Sequence, residues 1–245
     1  MIKYIKSELY RTFKTPMYKY FLSLSVLIVF LSMPTWGTNV GEDYLQLMTI
    51  FSTFAILIIS TISMTITFKT KDTKVQILSY GIKRSEMYFA DLVTLQIISI
   101  ITTVLLGILA IGSAALGEML GLVVVEMPYS AFINHVVRLI LFFININNGI
   151  FGLSYILNNL SLGVIGTFIL IPMISSLMLA FTSGKPIGNL INNFYKIQPY
   201  PLFENYVGIT EFNQDVIKTI VFSVLFTIIV YVLGGFVGFR KREIY

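Results

Sequence analysis

The side chains best able to act chemically in an apolar setting fall in one stretch of this sequence: His135, Arg138, Asn145, Asn147 and Asn148. His135 is the chain's single histidine and there is no cysteine, so neither a thiolate metal site nor a disulfide framework can be assembled. No Ser–His–carboxylate set or carboxylate pair falls at one depth of the apolar segments. Gly184–Lys185 lacks the earlier glycine and the following Ser or Thr of a phosphate loop, so the chain binds no ATP by that mechanism. These absences argue against an enzyme and leave polar groups whose burial is expensive unless they are paired. Ionisable groups in apolar segments are candidates for a transport path. His135 and Arg138 lie one helical turn apart, and Arg138 can extend its charge toward water. The three asparagines must face protein or water rather than lipid. A second polar set, Thr49, Thr53, Ser60, Ser63 and Thr67, recurs at near-heptad spacing. Small hydroxyl residues on one stripe suit close helix packing or the lining of a path. The pathway candidates are Thr53, Ser60, His135, Arg138, Asn145 and Asn147.

The elements that must position them are membrane helices. The 245-residue chain is 56% hydrophobic and only 12% charged, against roughly 25% charged for soluble domains. A spanning helix needs about 20 mostly apolar residues. Six segments meet or approach this: 20–36, 44–68, 88–115, 132–157, 160–181 and 216–239. The expected fold is all-α and integral to the membrane, a single transmembrane domain over 1–245. Asn158 and Asn159 suit a tight turn between the fourth and fifth spans. Most of the 17 Lys and Arg residues cluster in three places: Lys3 to Lys19, Lys69 to Arg84, and Arg240 to Arg242. Glu42, Asp43, Glu118, Glu126, Glu204, Glu211 and Asp215 fall in the alternate loops. Basic collars mark the cytoplasmic side, which places both termini there in a multi-pass protein of the cell membrane. The collars beside apolar helices also argue for membrane lipids over nucleic acid as the basic residues' partner. No small-residue cleavage site follows Leu31, so residues 1–19 read as a flank rather than a leader.

Three segments are neither loop nor span. In 1–17, Ile2, Ile5, Leu9 and Phe13 recur at helical spacing with Lys3, Lys6, Arg11 and Lys14 off that face, the pattern of an interfacial helix ended by Pro16. Loop 69–87 carries Val75, Ile77, Leu78, Tyr80 and Ile82 between basic residues, and predicts a short helix that docks onto something cytoplasmic. The aromatic and proline-rich segment 184–215 predicts short helices that re-enter the outer leaflet. Gly234 and Gly238 form a GxxxG pattern in the last span, which can serve a dimer face.

Taken in order, these parts resemble the permease subunit of ABC-2-type ABC transporters. MIKYIKSELYRTFKTPMYKYF resembles that family's elbow helix, ILSYGIKRSEMYFADLV its loop between helices 2 and 3, and GFRKREIY its closing basic cluster. Asp91 stands where relatives often carry Lys. The resemblance implies two permeases, a homodimer of about twelve helices, paired with a separate ABC ATPase subunit that holds ATP and Mg. No cofactor belongs to this chain. Gln76, Ile77, Leu78, Tyr80, Gly81, Lys83 and Arg84 would then form the element seated on the ATPase. Small permeases of this kind resemble bacterial exporters of amphipathic or cytolytic peptides, and the apolar interior suits such a cargo. A drug or lipid-linked-polymer exporter, and an ATPase-independent scaffold or channel-like protein, are the alternatives.

Overall fold

The computed structural model describes residues 1–32, 40–68, 71–79, 81–122, 129–182, 186–206 and 214–241. All secondary structure among them is helical. The helices are α1 (Ile2–Lys14), α2 (Pro16–Ser32), α3 (Val40–Thr67), α4 (Lys71–Ser79), α5 (Arg84–Met119), α6 (Tyr129–Leu157), α7 (Leu160–Thr182), α8 (Pro186–Lys196), α9 (Pro199–Tyr206) and α10. Helix α10 runs through Gln214–Phe226, a π-helical stretch Thr227–Val232 and Leu233–Lys241. A second π-helical stretch, Gly166–Leu170, interrupts α7.

Among the described residues, four helices are long and apolar enough to cross a membrane: α5, α6, α7 and α10. This is the build of a membrane protein. The first expected span, 20–36, reaches into residues outside the described set, while the second, 44–68, falls on α3. Helix α2 is 17 residues long, and α3 contributes the shorter apolar stretch Ile50–Ile66. Helix α5, at 36 residues, is about 54 Å long, well beyond the ~30 Å hydrocarbon core.

Local chemistry explains the breaks. Thr15 precedes Pro16 and is extended (φ −63, ψ 126), because a proline ring disfavours helical backbone in the residue before it. Pro16 then opens α2, where its missing N–H costs nothing. Helix α5 ends in a left-handed Gly121 (φ 68), with Leu122 N–H bonded to the Gly117 carbonyl at 2.9 Å and Gly121 N–H to that of Glu118 at 3.0 Å. Between α6 and α7, Asn158 takes the left-handed conformation (φ 55), and the Asn159 side chain accepts the Leu162 N–H at 3.1 Å. Two residues thus reverse the chain. Gly163 lies so close to Ser154 that a Cβ there would collide with its backbone.

Helix α6 is the centre of the bundle. In its apolar stretch 67% of residues are buried, against 17% for α7. Helices α3, α5, α7, α9 and α10 all pack on it. Gly152 on α6 and Gly235 on α10 let these two backbones touch: a Cβ at Gly152 would overlap the Tyr231 carbonyl. Gly234 and Gly238 also face α6, at Ile156 and Tyr155, so in this chain the GxxxG pattern packs internally.

Helix α1 lies against α5, α2 and α3. Its buried face is Tyr4, Ile5, Glu8 and Thr12, with Leu9 and Phe13 partly covered, while Ile2 is 69% exposed. The sequence periodicity put Ile2 on the apolar face with Ile5, Leu9 and Phe13, and made no assignment for Glu8. Tertiary contact to α5 rotates the buried stripe to include Glu8.

Candidate functional site

The asparagines of α6 project in different directions and bond to different helices. Asn145 Nδ2 donates to Ser223 Oγ on α10, and Thr227 Oγ1 donates to Asn145 Oδ1 at 2.6 Å. Asn147 Nδ2 donates to Ser99 Oγ on α5 at 2.6 Å, and Ser63 Oγ on α3 reaches Asn147 Oδ1 at 3.4 Å. Two residues apart on a helix is a turn of about 200°, so the pair pins α6 on opposite flanks. Asn148 Oδ1 accepts from Gln96 Nε2 at 2.9 Å. Asn145 and Asn147 are both 0% exposed. The high cost of burying amides is therefore met by hydrogen bonds.

Helices α8 and α9 form a hairpin that folds back into the bundle. Its tip, Ile197–Gln198, meets α10 at Ser223 and Tyr231: Ser223 Oγ donates to the Ile197 carbonyl, and Tyr231 Oη donates to Gln198 Oε1 at 2.7 Å. Thr227 lies about 20 Å along α10 from Gln214 at 1.5 Å per residue, so the tip is level with the middle of that helix. Pro199 touches Gly149 of α6, which also meets Thr167 of the α7 π-helical stretch, and Phe168 packs edge-on against Tyr200 at 5.5 Å. Both π-helical stretches thus meet the hairpin. Such stretches frequently occur at functional sites. Gln198 is 0% exposed, and among the described residues neither its Nε2 nor Gln96 Oε1 has a hydrogen-bond partner.

At the other end of the bundle, near the start of α5, a second polar cluster ties α1, α5 and α6 together. Tyr4 Oη donates to Asp91 Oδ1 at 2.9 Å, and Tyr155 Oη to Asp91 Oδ2 at 3.5 Å. Tyr88 Oη donates to the Val232 carbonyl at 2.6 Å. Its ring packs on Phe151, Tyr155, Phe236 and Phe239 at centroid distances of 4.8, 5.0, 5.5 and 5.8 Å. Lys74 of α4 sits over this aromatic group, 5.3 Å from the Tyr155 centroid and 5.9 Å from that of Phe239. Glu8 is buried nearby. Burial pushes its carboxyl above the ordinary range, Arg11 at 2.7 Å opposes this, and Asp91 adds to it.

The sequence candidates separate into distinct places. In the loop, Ile77 packs on the core, Leu78 is partly buried, and Val75 and Lys83 are exposed. Gln76 belongs to α4. Gly81 makes the left-handed turn (φ 80) that Lys83 and Arg84 follow into α5. Tyr80 lies outside the described residues. Of the pathway candidates, Asn145 and Asn147 sit in the buried network, while Arg138 lines a cavity between α6 and α10. His135 turns to α3, with Nε2 3.5 Å from Ser52 Oγ. Thr53 is exposed and Ser60 partly buried. The structure does not gather these six. Sequence reasoning missed Ser52, Ser99, Ser223, Thr227, Gln198, Tyr4 and Tyr155. A lone hydroxyl in an apolar helix gives no periodic signal, and each of these finds its partner only across the bundle.

No protein-family model, characterised protein or solved structure is detectably similar to this chain.

Proposed function

We propose that this chain is the permease subunit of an ATP-driven exporter, working as a pair of six-span permeases with a separate ATPase and carrying amphipathic or cytolytic peptides. One observation carries the reading: the seating of α4. This nine-residue helix lies in the loop between two long helices. Ile77 roots it in the core and Lys74 caps the aromatic group of α6 and α10. Val75, 43% exposed, faces away from the chain. A short helix held on the transmembrane bundle, with apolar surface left over, suits a lever that an ATPase pushes. Motion of such a lever shifts an equilibrium only if the ATPase contacts it differently in its two states.

Other features fit this role. The basic collar marks the α4 side as cytoplasmic, and α1 beside it takes the elbow position. The hairpin α8–α9 then enters from the outer side and closes the middle of the bundle, where a path would leave.

The test is to co-purify the chain with the ATPase encoded beside it and to measure ATP hydrolysis with and without amphipathic peptides. A complex with peptide-stimulated hydrolysis supports the proposal. A complex indifferent to peptides removes the cargo and keeps the transporter. Absence of a complex with every candidate ATPase removes the reading.

A further inference from the structure

Helices α6 and α10 touch at Gly152 and Tyr231 and are bonded at Asn145 and Ser223. Beyond that point, toward Asn134 and Ile217, they enclose a cavity of about 670 Å³. Its size is that of a ligand cleft, roughly 300–1,000 Å³. Its walls include Leu141, Ile217, Val221 and Leu225, and among the described residues the polar side chains that line it are Arg138 and Asn134, of which Arg138 alone is charged. Val221 and Leu225 are 51% and 50% exposed, so the cavity opens on the flank of two helices long and apolar enough to span a bilayer. A ligand would enter sideways from the hydrocarbon phase.

We propose that the α6–α10 groove binds one anionic phospholipid, with its phosphate on Arg138 and an acyl chain along Leu141, Val221 and Leu225. The chemistry matches the lining. A lipid brings one anionic group with polar esters beside it and otherwise hydrocarbon, against one guanidinium with Asn134 a turn away and otherwise apolar walls. A guanidinium carries five N–H donors and recognises phosphate in a fork, so Arg138 can hold an internal contact and a phosphate together. An amphipathic peptide helix brings a polar face along its whole length, whereas among the described lining residues the polar ones, Asn134 and Arg138, lie within one turn of each other. The proposal rests on the apolar helices crossing a bilayer and is independent of any ATPase.

The test is native mass spectrometry of the full chain purified in detergent and supplied with phosphatidylglycerol or phosphatidylcholine of the same acyl chains. The wild-type chain is expected to retain one phosphatidylglycerol, preferred about tenfold over phosphatidylcholine, whose own trimethylammonium offsets the charge of its phosphate beside Arg138. Arg138→Gln should abolish the preference, and Arg138→Lys should keep most of it. Val221→Trp should fill the groove and lower retention of both lipids. Gel filtration confirms that each variant is folded. Equal retention of the two lipids by the wild-type chain overturns the proposal. So does a Val221→Trp chain that holds phosphatidylglycerol as the wild type does, or a groove taken by an added amphipathic peptide while phosphatidylglycerol stays unbound.

Discussion

The ammonium of Lys74 stands 5.3 Å from the ring centre of Tyr155, and the hydroxyl of the same tyrosine reaches Asp91 on α5. One side chain of the short helix α4 is thereby linked to α6, and through Asp91 to α5 and to Tyr4 on α1. Displacing α4 must either carry these helices or break the contacts.

Removing the charge should loosen the link without unfolding the bundle. A cation over an aromatic face is worth about 0.5–1 kcal/mol at a partly exposed site. Lys74→Met keeps the apolar stem and loses only the charge. Amide exchange of α4 should then rise about two- to fivefold, while Lys74→Arg stays near the wild type. Hydrogen-exchange mass spectrometry reads this, and unchanged exchange in Lys74→Met would show that the ring contact does not hold α4.

Leu78→Asp probes the same helix for its partner. Leu78 is partly buried at the end of α4 and Val75 is exposed. A carboxylate there should abolish pull-down of the ATPase and leave membrane insertion intact. Normal pull-down by Leu78→Asp would remove α4 as the docking element.

Glu8 makes the seating of α1 depend on pH. Burial raises its carboxyl above the ordinary value, with Arg11 opposing and Asp91 reinforcing the rise. The folded chain therefore holds the proton more tightly than the unfolded chain. The stabilising contribution is complete below the unfolded value and is lost as pH rises through the folded one. Thermal unfolding of the purified protein should show α1 detaching more readily at neutral pH than at about pH 4. Glu8→Gln should flatten that dependence and raise stability at neutral pH, since the exposed side of an ion pair to Arg11 returns little. A steeper pH dependence in Glu8→Gln would contradict the assignment.

The apolar helices were legible because their signal is local. Runs of about 20 apolar residues announce α5, α6, α7 and α10, and the Asn158–Asn159 pair announces the turn before α7. A short helix in this loop was legible, but α4 holds only Val75, Ile77 and Leu78 of the five apolar residues that announced it; Ile82 lies beyond the Gly81 turn and Tyr80 outside the described residues. What stayed hidden depends on pairing across the bundle. That Asn145 and Asn147 face protein or water rather than lipid followed from cost alone, but their partners Ser223 and Ser99 lie 78 and 48 residues away. The apolar face of α1 was misjudged at Ile2, which is 69% exposed, and the periodicity gave no sign that Glu8 is buried. Only Asp91 and Tyr4, brought together by α5, show where that face turns. Gly152 and Gly235 were hidden for a related reason. The visible glycine spacing was that of Gly234 and Gly238, and the tighter contact uses one glycine from each of two helices.

That contact gives the sharpest contrast available within one residue type. A Cβ at Gly152 would overlap the Tyr231 carbonyl, which belongs to a helix and has nowhere to yield, whereas a Cβ at Gly112 on α5 meets nothing within 4 Å. Glycine in a helix interior costs about 0.8–1.0 kcal/mol relative to alanine. Gly112→Ala should therefore stabilise the protein by up to that amount. Gly152→Ala gains the same propensity but must separate α6 from α10, at about 1–3 kcal/mol or more for overpacking a close contact. Separation would also lengthen the bonds from Tyr231 to Gln198 and from Thr227 to Asn145, because both leave α10 on the side that Gly152 lets approach. Thermal unfolding in detergent should rank Gly112→Ala above the wild type and Gly152→Ala well below it. If both alanines shift stability in the same direction by similar amounts, backbone contact at Gly152 is not what joins α6 to α10.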